Sequence, residues 1–326
     1  MTRPAPVAAP ITPPPAAHAV AIVGAGLVGS GWALVFARAG LRVQIYDPVA
    51  GVRAGIPAWA RESAAALAGA GLIADVEAVI GRLHVVDTLE AALAGATYVQ
   101  ESVFERVEVK RDICRAIDAA MAPETIVGSS SSGIPASRFT EGCTHRGRFL
   151  IAHPVNPPHL APVVELVPAP WTEAAALAGA RELMLAVGQV PVALTREIDG
   201  FILNRLQGAL LNEAWALYDE GYAGLADIDA TIAHGLGLRW AFMGPFETID
   251  LNAPGGIVDY AARLGGMYHA MAQSRTPRAW PEDTIRRAGE ERRRALPETE
   301  LAARRAWRDQ ALTGLAAFKK ASGLAP

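Results

Sequence analysis

The chain has 326 residues, enough for two domains of ordinary size. Hydrophobic residues make up 51% and charged residues 19%, a balance that can build a large core and argues against intrinsic disorder. A formal net charge of −3 argues against a nucleic-acid surface, and every long apolar stretch is amphipathic or broken by charge, so no transmembrane helix is expected.

The first seventeen residues hold six prolines, which lack the donor that helices and sheet ladders need. Without the charged and apolar regions of a secretory signal, residues 1–17 are predicted to be a flexible tail. Ala19 to Val23 is a short apolar run, followed by a glycine-rich turn that opens a helix and then by LRVQIYDP, a strand ending in an acid. The stretch from Ala50 to Arg82 is alanine-rich and helical. LHVVD, TYVQES, TIVGSSSS, RFLIAHPV and VVELVPAP read as further strands, with helices at LEAALAG and VEVKRDICRAIDAAM. From Gly200 onward the pattern is helical, beginning with a long amphipathic segment that Gly221 is placed to cap. Strands alternating with helices, then helices alone, predict a doubly wound α/β Rossmann-type domain at 18–196 and an all-α domain at 197–326. Cys114 and Cys143 form no CxxC and no metal-ligand spacing. They are expected to be reduced bystanders in the cytoplasm, and no metal site is expected.

Gly24, Gly26 and Gly29 form G-x-G-x-x-G, with Leu27 and Val28 between the last two. The first glycine permits the tight turn, the second lets backbone approach a pyrophosphate, and the third lets helix and strand pack closely. Asp47 lies 23 residues beyond Gly24 at the end of the second strand. A carboxylate there binds the adenosine ribose hydroxyls and repels a 2′-phosphate, which favours NAD over NADP; Arg42 is the one nearby basic residue that opposes this.

Four polar clusters follow: SSSSG from Ser129, AHPVNPP from Ala152, VVELVP from Val163, and GFILNRL from Gly200. A dehydrogenase needs a base for the hydroxyl proton as hydride leaves the carbon, and neutral imidazole suits that task. His153 is the candidate base, and Glu165, twelve residues on, is the candidate partner that orients it.

The chain resembles the 3-hydroxyacyl-CoA dehydrogenase family, most closely its lambda-crystallin (L-gulonate 3-dehydrogenase) branch. The likeness is carried in order by IVGAGLVGSGWA, QESVFERVEVK, GSSSSG, AHPVNPP, PVVELVP, GFILNRLQ, GLGLRWAFMGPFET and LAARRAWRD. It implies His153 as general base, Glu165 as its partner, Ser132 touching substrate and nicotinamide, and Asn204 on the substrate side. It also implies Glu105 and Lys110 near the nicotinamide ribose and Asn156 close to the nicotinamide. Some readings stay open: Ser129 to Ser131 functional or strand-ending, Lys110 cofactor-bound or a solvated helix charge, His159 substrate-facing or a bystander.

The implied reaction is NAD-dependent oxidation of the 3-hydroxyl of a small hydroxy acid. A short-chain 3-hydroxyacyl-CoA dehydrogenase, an L-carnitine dehydrogenase, and a non-catalytic crystallin-like or NAD-sensing protein are the alternatives. Arg239, in GLGLRWAFMGPFET, is the candidate for a substrate carboxylate; the competing reading pairs it with Glu247 or Asp250. Apolar residues over a wide arc of the helix from about Phe201 to Glu220 predict a homodimer.

Overall fold

The structure, a computed structural model, describes residues 19–324. The expected N-terminal tail lies outside the described residues. In chain order the first elements are β1 (Ala19–Val23), α1 (Leu27–Arg38), β2 (Arg42–Tyr46), α2 (Ala50–Gly69), α3 (Val76–Ile80), β3 (Leu83–Val85) and α4 (Leu89–Leu93). Then come β4 (Ala96–Glu101), α5 (Val107–Ala120), β5 (Ile126–Ser129), α6 (Ser137–Thr140), β6 (Phe149–Pro154), β7 (Val163–Pro168), α7 (Ala174–Ala186) and β8 (Val190–Ala193). The remainder is helical: α8 (Leu203–Asp219), α9 (Leu225–Thr231), α10 (Gly237–Trp240), α11 (Pro245–Leu251), α12 (Gly256–Gln273), α13 (Glu282–Ala295) and α14 (Leu301–Ala321).

The strands form one sheet in the order β3-β2-β1-β4-β5-β6-β7-β8. All neighbours are parallel except β6 and β7. A parallel sheet is covered on both faces, so its strands are apolar throughout rather than alternating. In β1, Val20 to Val23 are all fully buried. Val20 and Ile22 join one core with Trp32, Phe36 and Met184, while Ala21 and Val23 join the other with Ile117, Phe139 and Phe149.

Helix ends follow local chemistry. Gly40 (φ 96°) stops α1: its amide bonds Ala37 O and that of Leu41 bonds Phe36 O, the paired bonds of a left-handed cap. Gly221 (φ 76°) stops α8 in the same way, with Gly221 N to Tyr218 O and Tyr222 N to Leu217 O. The alanine-rich stretch expected as one helical region divides at Gly71 (φ 71°), and Asp75 caps α3 by accepting from Ala78 N at 3.0 Å. β8 has no counterpart in the sequence reading. Pro191 lowers its strand signal, yet an edge strand tolerates proline because only one side of it needs donors.

The chain divides into two compact units. Among the described residues, one holds residues 19–205 together with 305–324, and the other is Leu206–Arg304. The end of α14 is tied into the first unit by Lys320 Nζ, which donates to Gly71 O at 2.8 Å. In the second unit Asp219 receives Arg278, Arg287 and Thr284, which fastens α13 and the segment before it to α8. No helix among the described residues is long and apolar enough to cross a membrane.

Candidate active site

The turn between β1 and α1 shows why each of its glycines is needed. Gly24 has φ 92°, and a Cβ there would lie 2.7 Å from the backbone of Ser102. A Cβ on Gly29 would lie 1.9 Å from the carbonyl oxygen of Gly24. Gly26 faces open space, and no side chain caps the first amides of α1. Amides without a partner among the described residues, at the start of a twelve-residue helix with bare backbone beside them, fit a pyrophosphate. Leu27, 71% exposed, and the half-buried Val28 stand in that first turn.

Asp47 follows β2 and is nearly buried. Its Oδ2 accepts from Ala25 N at 2.8 Å and its Oδ1 from Val49 N at 2.9 Å, so the carboxylate also braces the glycine-rich turn. Arg42, the basic residue singled out in the sequence, stands at the far end of β2 and is exposed. The arginine beside Asp47 is Arg53, which donates to Asp47 O at 2.7 Å and pairs with Asp87 at 3.2 Å.

His153 and Glu165 are directly opposite one another in the antiparallel pairing of β6 and β7. Directly paired residues project on the same face, which is how a twelve-residue separation closes to a contact. His153 Nδ1 lies 2.8 Å from Glu165 Oε2. Glu165 Oε1 accepts from the amides of Ile202 (2.7 Å) and Leu203 (2.9 Å) at the start of α8. Burial pushes the Glu165 carboxyl up, but His153 and these two amides outweigh it and hold the group below the usual carboxylate range. His153 Nε2 makes no hydrogen bond among the described residues, so the ring is oriented at one nitrogen and open at the other.

Two consecutive left-handed residues, Gly200 (φ 77°) and Phe201 (φ 51°), turn the chain so that those amides face Glu165. Positive φ is a strained conformation for a bulky residue. Phe201 is fully buried with its ring centroid 5.8 Å from that of His153, and this packing and the Glu165 bonds hold it there.

The serine run separates by function of the hydroxyl. Ser129 Oγ donates to Glu101. Ser130 Oγ accepts from Gln100 Nε2 at 2.8 Å and contacts Ser102 Oγ at 2.8 Å. Ser131 Oγ lies 2.8 Å from Glu105 and 2.9 Å from Ile134 O. Ser132 alone has a hydroxyl without a hydrogen bond among the described residues, while its amide bonds Glu105 at 2.8 Å and its carbonyl accepts from Asn204 Nδ2. Ser132 and Asn204 are therefore together, and Asn204 spends its amide on positioning the serine.

Glu105 gathers Ser131, Ser132 and Gly133 on Oε1. Burial raises its carboxyl, but Lys110 and these donors prevail and hold it below the usual range. Lys110 is not a solvated charge: only 1% of its side chain is exposed, and Nζ lies 3.1 Å from Glu101 and 3.5 Å from Glu105. Glu101, fully buried, was missed in the sequence because a lone acid at a strand end carries no local signal. Removing one partner of such a buried pair costs about 3–5 kcal/mol, far more than an exposed pair. Asn156 is exposed, next to a cis Asn156–Pro157 bond. His159 packs edge-on against Trp59 (5.9 Å), and burial and then Arg38 lower its pKa to about 4, which keeps it neutral.

The family model for the NAD-binding domain of 3-hydroxyacyl-CoA dehydrogenase matches residues 19–198, and that for the C-terminal domain matches 200–292. The chain belongs to the 3-hydroxyacyl-CoA dehydrogenase family. The lambda-crystallin homolog of Mus musculus is 37% identical over 316 residues, covering 94% of this chain and 97% of that protein. The L-carnitine dehydrogenase of Streptomyces coelicolor is 38% identical, covering 80% and 79%. Among solved structures, the NAD+-dependent dismutase FHMPC 5-dehydrogenase aligns with a TM-score of 0.81 at 26% identity, covering 91% of this chain and 97% of that one. This chain is thus an NAD-dependent 3-hydroxy acid dehydrogenase. NAD supplies the hydride acceptor when bound.

Proposed function

We propose that this dehydrogenase oxidises the 3-hydroxyl of a small free L-3-hydroxy acid of the L-gulonate type, with His153 as general base. The observation that carries the chemistry is the His153–Glu165 pair, oriented through Nδ1 and uncommitted at Nε2. Glu165 fixes the tautomer and stabilises the imidazolium that forms as the hydroxyl proton arrives. The free hydroxyl of Ser132 and the side-chain oxygen of Asn204 are available to hold substrate. Glu105, 39% exposed, is the member of the Glu105–Lys110 pair open to a ribose, and Asn156 is exposed on the loop beyond β6.

The free-acid assignment rests on charge. An acyl-CoA substrate brings phosphates that need cations. The region from Ala50 to Arg82 has no lysine, and its three arginines already have acceptors. Arg53 holds Asp47 O and Asp87, Arg61 pairs with Glu77, and Arg82 donates to Ala37 O at 3.3 Å. Arg239 is exposed and makes no ion pair with Glu247 or Asp250 among the described residues, while Asp250 accepts from Ile257 N at 2.7 Å. An uncommitted guanidinium matches a carboxylate bidentately. The names of L-carnitine and of the pyridine carboxylic acid FHMPC, substrates of two relatives, point the same way. L-gulonate, L-carnitine, 3-hydroxybutyrate and 3-hydroxybutyryl-CoA, each assayed with NAD, test the assignment. A free acid is expected to be turned over best; efficient oxidation of the CoA thioester and of no free acid would overturn it.

Asp47 is assigned the choice of NAD over NADP. Asp47→Ala is expected to weaken NAD binding and narrow the gap to NADP, measured as the ratio of the two dissociation constants. An unchanged ratio would remove Asp47 from that role.

The enzyme is further assigned as a homodimer in the cytoplasm. No residue of α8 or α12 is buried in the single chain. Within the second unit Leu206, Phe246, Leu251, Val258 and Met271 are each more than half exposed, a density of apolar surface that a second copy would cover. Light scattering at micromolar concentration is expected to give twice the chain mass, and a monomer mass would refute the assignment. The buried thiols of Cys114 and Cys143 suit a reducing compartment.

A further inference from the structure

Three charged side chains, Glu101, Lys110 and Glu105, are linked to one another and to the serine loop. Glu101, at the end of β4, is fully buried and receives Lys110 Nζ at 3.1 Å on each oxygen, Val103 N at 2.7 Å and the Ser129 hydroxyl. Lys110, in the first turns of α5, places the same ammonium 3.5 Å from Glu105 Oε2. The other oxygen of Glu105 takes the Ser131 hydroxyl and the amides of Ser132 and Gly133.

We infer that Glu101 and Lys110 are positioning residues for Ser132: the buried pair anchors the Glu105 carboxylate, and Glu105 clamps the loop that presents the Ser132 hydroxyl. The inference rests on the reading of Ser132 as a substrate-contacting residue. Its physical basis is the division of labour at Glu105, where one oxygen faces the ammonium and the other faces the loop. Two carboxylates share one ammonium, so Glu105 keeps negative charge, which the loop's two amides and one hydroxyl satisfy. Half-exposed and without the ammonium, Glu105 would turn to water, and three loop donors would lose their acceptor. Ser132 is held from the other side by Asn204 through its carbonyl. Both of its backbone groups are then fixed and only its hydroxyl is free. Lys110 itself, 1% exposed and enclosed by Glu101, Glu105 and the Phe139 ring at 5.9 Å, acts through Glu105. A reacting group needs support of this kind, because a small displacement of a positioned donor is costly to rate.

The test uses the full-length protein. Lys110→Met alone strands the Glu101 charge in the core, so the double variant Glu101→Gln/Lys110→Met, which removes both charges, is made with it. Glu105→Gln is the third variant and Lys110→Arg the conservative control. Amide hydrogen exchange over residues 129–134 needs no substrate and reads the loop directly. NAD binding by titration and the kcat and KM of the best substrate in the panel complete the set. In the double variant the Ser132 and Gly133 amides are expected to exchange at least about 10-fold faster, with kcat lower by about 100-fold. The NAD dissociation constant is expected to rise as well, since Glu105 is the member of the pair open to the ribose, and Lys110→Arg is expected to retain most of the protection and turnover. Unchanged protection at Ser132 and Gly133 in the double and Glu105 variants would overturn the positioning role whatever happens to turnover. Faster exchange with unchanged kcat would overturn the role of Ser132 in the reaction, and with it the link from the buried pair to catalysis.

Discussion

Replacing His153 by alanine is expected to lower kcat by about 10²–10⁴-fold while NAD binds as before. The imidazole is the group with both properties a base needs here: a nitrogen fixed by a carboxylate and a second nitrogen without a hydrogen bond. Its Nδ1 is 2.8 Å from Glu165, so the proton of the neutral ring sits on that side and Nε2 carries the lone pair. Alanine removes the acceptor and leaves the hydroxyl proton with water as its only outlet. His153→Gln keeps much of the bulk and a hydrogen-bonding end, so it separates loss of the base from loss of packing against Phe201. Steady-state kinetics and an NAD titration check both variants, and wild-type-like turnover in His153→Ala would sink the mechanism.

Glu165→Gln is expected to be milder than His153→Ala, since Ser132 and Asn204 remain. Its amide oxygen can still accept from Ile202 and Leu203, but the charge that favours the imidazolium is gone. The pH dependence has a definite sign. The folded Glu165 is held below its unfolded pKa, so its contribution to stability is complete at neutral pH and is lost as pH falls through the depressed value. Acid unfolding of the Gln variant is expected to show a shallower slope in that acidic window.

The second large effect is expected at Arg239. Arg239→Met should raise KM for free hydroxy acids by about 30-fold or more, equivalent to about 2 kcal/mol of lost binding. NAD affinity and thermal stability should change little, because Arg239 is exposed and anchors no acid of its own unit. Its placement follows from a local irregularity: a π-helical turn spans Ile232–Leu236 just before α10. A Cβ on Gly237 would lie 2.9 Å from Ile232 O, so the turn needs glycine at that position. Such turns re-aim the residues that follow them. A variant that loses stability but keeps KM would assign Arg239 to structure instead.

What the sequence alone determined is what depends on neighbours in the chain. Gly24, Gly26 and Gly29 are legible because backbone freedom is a property of single residues, and the strand and helix around them have their own periods. Gly221 was readable as a helix stop for the same reason. His153, Glu165, Ser132 and Asn204 were nominated by their motifs, as side chains of the right chemistry near strand or helix ends. Tertiary structure decided which of their atoms are committed. The antiparallel register of β6 and β7 turns a separation of twelve residues into a 2.8 Å contact. Of four consecutive serines, identical in sequence terms, three hydroxyls are taken up by Gln100, Glu101 and Glu105, and Ser132 is left open. Lys110 reads equally well as a surface charge, since its burial depends on Glu101, nine residues away on another element. Arg53 rather than Arg42 reaches Asp47 because a strand carries Arg42 to its far end while the next helix returns Arg53 to the carboxyl end. Hydrogen bonds and ion pairs are satisfied in space, by whatever group the packed elements bring within about 3 Å. Until the sheet order and register are set, no sequence separation specifies those partners.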